Sequence, residues 1–168
     1  MANKASFTPE EWTKVLESVA VTGMAVTAAE PSGLWGMLKE AFAGGAALAA
    51  GKADANANEL VKAAIADFET PEGRAAVQEA LKQRFEGAKP IDVVPRALET
   101  LRQASATLEA KAPADAPAFK AWLNSIAAKV ADASKEGGFL GFGGVKVSEA
   151  EKATLAEIAA ALGTSAQA

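Results

Sequence analysis

Phe7-Thr8-Pro9-Glu10-Glu11-Trp12-Thr13-Lys14-Val15-Leu16-Glu17-Ser18-Val19-Ala20-Val21-Thr22-Gly23-Met24-Ala25-Val26 holds a helix start and a helix body in one stretch. Thr8 stands where an N-cap belongs, Pro9 at the first helical position, and Glu11 at the capping-box position three residues on. Phe7 before the cap and Trp12 after it have the spacing of a hydrophobic staple. Trp12, Val15, Leu16, Val19, Gly23 and Val26 then recur at helical intervals and make one apolar stripe. Glu30-Pro31-Ser32-Gly33 breaks the run.

The same grammar repeats outward along the chain. Leu34 to about Ala50 reads as a second helix, with Leu34, Leu38 and Phe42 on one side and Gly44 and Gly45 at a close helix crossing. Asn56-Ala-Asn-Glu59 has capping-box spacing before Leu60, Val61, Ile65 and Phe68. Thr70-Pro71-Glu72-Gly73 opens a fourth helix through Val77, Leu81 and Phe85, with Gly87 as its stop. Asp92 to Lys111 is a fifth, and Pro95 is placed in its first turn, where a missing N–H is tolerated. Pro113 and Pro117 mark the next joint. Phe119, Trp122, Leu123, Ile126 and Val130 give a second long stripe. A last helix runs from Ser148 to about Leu162, with Leu155, Ile158, Ala159 and Leu162 inward and Gly163 as its stop. The expectation is a single all-α domain over residues 1–168, with about seven helices in compact bundle-like packing and frayed tails at 1–6 and 164–168. An echo between Leu16-Glu-Ser-Val-Ala20 and Leu123-Asn-Ser-Ile-Ala127, each followed by a Gly-rich turn, raises a pseudo-twofold repeat of a helix pair.

Composition agrees with helices and removes several chemistries. The chain has 168 residues, 43 of them Ala, and no Cys, His or Tyr. Without Cys there is no disulfide framework, zinc finger or thiol nucleophile. Without His there is no imidazole base and no Ser–His–Asp triad. A net charge of −4, with basic residues interleaved among acids, argues against nucleic acid. The N-terminal residues lack the apolar core of a signal peptide, and the apolar stretch Ala41 to Gly51 is too short to span a bilayer. No transmembrane segment and a cytoplasmic location are expected.

Three segments invite a functional reading. Gly137-Gly-Phe-Leu-Gly-Phe-Gly-Gly144 lacks the Gly-Lys-Ser/Thr of a phosphate loop and the third glycine of a dinucleotide fingerprint. Its Phe139, Leu140 and Phe142 either plug the groove between the two long helices or meet a partner, and Trp35 beside Gly33 and Gly36 is core or a rim contact of the same kind. Asp54-Ala-Asn56-Ala-Asn58 resembles an EF-hand opening, but Glu59 stands where the loop needs Gly and Ile65 where it needs Glu, so a helix cap is the better reading. Paired carboxylates are the remaining chemistry. Asp132 and Glu136 share a helix face at i, i+4, and Glu149 and Glu151 open the last helix. Such oxygen ligands suit Mg²⁺ or Ca²⁺. A capping box at Ser148-Glu-Ala-Glu151 accounts for Glu151 without a metal.

Ala131-Asp132, then Val147-Ser-Glu-Ala-Glu-Lys-Ala-Thr-Leu-Ala-Glu-Ile158 with Ala161-Leu-Gly163, resembles the C-terminal signature of the TerB-like tellurite-resistance family. The resemblance covers the last fifth of the chain. It departs from the family at Ala133, where a Gly is expected, and in the spacing between Asp132 and Ser148. It implies an all-helical stress-response or co-chaperone module, with Asp132 and Glu151 in an acidic, metal-associated cluster. The resulting expectation is a non-enzymatic interaction protein with no cofactor beyond at most a weak Mg²⁺ or Ca²⁺ site, and with a protein partner or self-association. The alternatives are a carboxylate- and Mg²⁺-dependent enzyme, and a peripheral membrane or apolar-ligand binder using the second helix and the Phe139–Phe142 segment.

Overall fold

A computed structural model describes residues 1–29, 58–136 and 148–165, with only the backbone of residues 133–136. These residues form a short 3-10 helix, η1 (Lys4–Ser6), and six α-helices: α1 (Pro9–Ala28), α2 (Glu59–Glu69), α3 (Pro71–Phe85), α4 (Pro90–Lys111), α5 (Ala116–Glu136) and α6 (Glu149–Leu162). No strand occurs among the described residues. The all-α expectation holds; the helix expected over 34–50 lies outside the described residues.

Local sequence chemistry sets most of the boundaries. The Thr8 hydroxyl accepts the Glu11 N–H at 3.2 Å, and the Glu11 carboxylate accepts the Thr8 N–H at 2.8 Å. Ser148 and Glu151 repeat this reciprocal cap at α6. Phe7 and Trp12 close the staple with ring centroids 5.6 Å apart. Asn58 caps α2 by accepting the Val61 N–H, so the cap lies two residues beyond the Asn56 expected from spacing. The αL position Gly163 ends α6, where only glycine carries no Cβ penalty (φ 68°).

The start of α4 also departs from expectation. It begins at Pro90, with the Asp92 carboxylate accepting the Lys89 N–H at 2.9 Å. Pro95 therefore lies inside the helix, beyond its first turn.

Four helices frame the core. α1 packs most extensively on α4, and contacts of α4 with α6, α6 with α5 and α5 with α1 close a ring of four helices. Lys111 at the end of α4 pairs with Glu11 at the start of α1, so these two run antiparallel. Lys111, which pairs with Glu11 at the start of α1, lies shortly before the start of α5 at Ala116, and Ala2 ahead of η1 hydrogen-bonds Asp115, so α1 and α5 start from the same end. α2 and α3 pack against the flank of α1. This central position buries α1 around most of its circumference from Val15 to Gly23, including Ser18, Val21 and Thr22, which the stripe had placed off the buried face. Ser18 and Thr22 satisfy their hydroxyls on the carbonyls of Val15 and Ser18. Leu16, Leu60, Leu101, Leu108, Phe119, Leu123 and Ile158 fill the interior.

Two residues of the segment 1–6 make contacts with the bundle. The Ala2 N–H reaches Asp115, and the Lys4 ammonium reaches both oxygens of Asp67 at 2.9 and 3.0 Å. At the other terminus Thr164 accepts from Asn124 at 2.7 Å, and its N–H returns to the Ala159 carbonyl.

Candidate functional site

Glu17, Lys120 and Asp115 carry charge into this core, Glu151 is buried at the α6 cap, and Asp67 is partly buried against the start of α1. Glu17 faces inward from α1 with its side chain 4% exposed. Arg84 near the end of α3 meets it with Nε at 3.0 Å from one carboxylate oxygen and Nη2 at 3.3 Å from the other. The bidentate fork satisfies a carboxylate that burial would otherwise penalise. The hydrogen bond to Glu17 also raises the Arg84 pKa above its ordinary value. Arg96 of α4 locks this corner by donating to the carbonyls of Arg84 and Glu86, which end α3.

Lys120 is buried as well. Its ammonium donates to Glu109 of α4 and lies against the C-terminal turn of α6 at Gly163, where carbonyl dipoles favour a cation. Asp67 accepts the Trp12 indole N–H at 2.7 Å as well as the Lys4 ammonium, so it fixes α2 to both η1 and α1. Asp115, 7% exposed, accepts from the Ala2 N–H at 2.7 Å and the Asn58 amide at 3.4 Å. Among the described residues the buried Trp122 indole N–H has no hydrogen-bond partner, while its ring stands edge-on to Phe119 at 5.2 Å.

The acids expected from sequence are arranged differently. Asp132 is exposed on α5. Glu149 is exposed and pairs with Lys152 at 2.7 Å. Glu151 is buried, 3% exposed, and its carboxylate closes the α6 cap on the Ser148 N–H. The side chain of Glu136 lies outside the described residues, as do Trp35, Phe139, Leu140 and Phe142. Among the described residues no three acids converge as a metal-binding group. No helix among them is long and apolar enough to cross a membrane.

Sequence reasoning passed over Glu17, Asp115 and Lys120. One signal was present for Glu17: no other charge occurs from Ser18 to Ala29, so it enters an uncharged helix that must be buried. Lys120 sits between Phe119 and the Trp122-Leu123 pair, on the second apolar stripe. Asp115 gave no such signal, because its partners at residues 2 and 58 are remote in sequence.

No protein-family model, no curated protein and no solved structure matches the chain.

Proposed function

We propose that this protein is a non-enzymatic helical interaction module, cytoplasmic and stress-associated, with an architecture of the TerB-like kind that its C-terminal sequence resembles. The observation that carries the reading is the use made of the buried and partly buried charges. Glu17 serves Arg84, Lys120 serves Glu109, Asp67 serves Trp12 and Lys4, and Glu151 serves its own helix cap. Each joins elements of the fold or ends one, which is the work of a scaffold. α1 and α5 start from the same end and pack together, so both point their C-termini to the opposite end. The sequence beyond these C-termini carries Trp35 in one case and Phe139, Leu140 and Phe142 in the other. These four are the proposed partner contacts.

The test compares the wild type with Phe139→Ala/Phe142→Ala by thermal melting, sedimentation and affinity capture from native extract. The reading expects an unchanged melting temperature with loss of self-association or of a captured partner. If the side chains plug the core instead, the double variant loses stability at about 3–5 kcal/mol per buried Phe. The metal associated with the family resemblance has its own test. If Asp132 and Glu151 hold Mg²⁺ or Ca²⁺ as the resemblance implies, the metal should raise the melting temperature by mass action and Asp132→Asn should remove the rise; an unchanged melting temperature leaves only the capping role of Glu151.

A further inference from the structure

α6 closes both of its own ends. Ser148 and Glu151 cap its N-terminus on each other, and at the other end the Gly163 N–H returns to the Ala160 carbonyl and the Thr164 N–H to that of Ala159. Alanine, the strongest helix former, recurs through its body at Ala150, Ala153, Ala156 and Ala159 to Ala161. The helical shape is therefore written in this segment, and what the bundle supplies is a seat.

The seat lies toward the C-terminal end of the helix. Leu155, Ile158 and Leu162 are its large apolar side chains; Ile158 and Leu162 are fully buried and Leu155 partly so. Three polar side chains meet the same end. The Ser105 hydroxyl of α4 donates to the Leu162 carbonyl at 3.2 Å, and the Asn124 amide of α5 donates to the Thr164 hydroxyl at 2.7 Å. The Lys120 ammonium stands 4.0 Å from the place a Cβ on Gly163 would take.

The other helices of the ring are held more deeply. α5 buries Phe119, Trp122, Leu123 and Ile126, and α4 buries Val93, Leu98, Leu101 and Leu108, against the two of α6. A local opening costs more free energy the more apolar surface it exposes, so α6 is the ring helix that opens most easily. Lys120 does little to bind it more tightly. With α6 in place this side chain is 6% exposed, and docking exchanges the water around an ammonium for the carbonyls of a helix end.

We propose that α6 is a releasable helix. It leaves its seat as one unit while the rest of the bundle stays folded, and its departure bares the faces of α4, α5 and α1 on which it packs. The device rests on the docked geometry of α6 and stands whether or not Phe139, Leu140 and Phe142 meet a partner.

The chain has no cysteine, so one introduced thiol reports on one position. Ala159→Cys puts it under α6, where Ala159 is buried, and Ala20→Cys puts it in the buried middle of α1. Each full-length variant is reacted with a thiol reagent at several urea concentrations below the unfolding transition. The proposal expects Ala159→Cys to react at least about tenfold faster than Ala20→Cys and with a shallower urea dependence, because its opening exposes less surface than global unfolding. Adding Ser105→Ala and Asn124→Ala removes two hydrogen bonds at the end of α6 and should speed the reaction of Ala159→Cys about tenfold further. Native-state hydrogen exchange on the wild type decides even if a cysteine perturbs its own helix: the amides of Leu155 to Leu162 should share one opening, distinct from the global one that frees α1. Equal thiol reactivity with equal urea slopes, a rate unmoved by the double substitution, or α6 amides that exchange only through global unfolding would each overturn it.

Discussion

Arg84 is held by two hydrogen bonds to Glu17, and its own removal would leave a carboxylate in the core that no other described cation answers. Breaking one side of a buried pair costs about 3–5 kcal/mol, and the 27% exposure of the Arg84 side chain reduces the expectation for Arg84→Met to about 2–3 kcal/mol. Replacing both partners, Glu17→Leu with Arg84→Met, should recover most of that loss. Denaturant melts of the two single variants and the double variant check it, and additive losses would mean that the pair is not coupled. Gly73 presents a steric case. A Cβ there would lie 2.0 Å from the Asp67 carbonyl oxygen, so α3 can turn this tightly off α2 only with glycine. Gly73→Ala should cost about 1–3 kcal/mol despite alanine's better helix propensity. Neither role was legible in the sequence. Thr70-Pro71-Glu72-Gly73 announced the helix start correctly, but the approach of Asp67 is a fact of the corner and not of the cap. Glu17 and Arg84 are 67 residues apart in sequence, and only folding brings them together.

Helix starts are the elements at which sequence spoke most clearly, because a cap is written within four residues. The boxes at Thr8 and Ser148 and the cap at Thr70 fall where the residues placed them. The Thr8 box also carries a pH dependence. The Glu11 carboxyl is held below the ordinary carboxylate value, first by the Thr8 N–H and then by Lys111. A lowered folded-state value means stability that is present above the ordinary carboxylate range and lost as pH falls through the lowered one. The melting difference between wild type and Glu11→Gln should therefore be largest near neutrality and shrink toward acid. A difference that grows on acidification would contradict this cause. α4 was misread at its start, and the error leaves Pro95 in the helix interior, where its ring opposes the Ile91 carbonyl that it cannot satisfy. Since Pro95 is exposed, Pro95→Ala should restore the missing bond without disturbing the core. A gain of about 1 kcal/mol is expected, less than the full interior penalty because proline also restricts the unfolded chain. A chemical-denaturation midpoint unchanged or lowered would mean that the local backbone has adapted to the ring.

At the scale of the molecule, the all-helical fold was legible because alanine content, caps and 3.6-residue stripes agreed along the chain. The arrangement was not, because a stripe names one buried face and says nothing of how many neighbours a helix has. α1 shows the difference: its sequence advertised one face, while α4, α5, α3, α6 and α2 together bury nearly all of its middle. The candidate site was less legible still. Glu151 was correctly read as a capping acid, but its assignment to a metal cluster rested on resemblance, and Asp132 is exposed on another helix. The central place of α1 has a consequence for cooperativity. A helix touching every other described α-helix cannot open alone without exposing its Val15, Leu16, Val19 and Val21 contacts, all at most 1% exposed. Its amides can exchange only when the whole bundle opens, whereas α2 and α3, packed on one flank, can open with less apolar surface exposed. Native-state hydrogen exchange should therefore show the slowest amides between Val15 and Val26, with opening free energies equal to that of global unfolding. Leu16→Ala, at about 2–5 kcal/mol, should lower those values by its full effect on global stability. Protection in α1 no greater than in α3 would show that the flank, and not the central helix, holds the bundle closed.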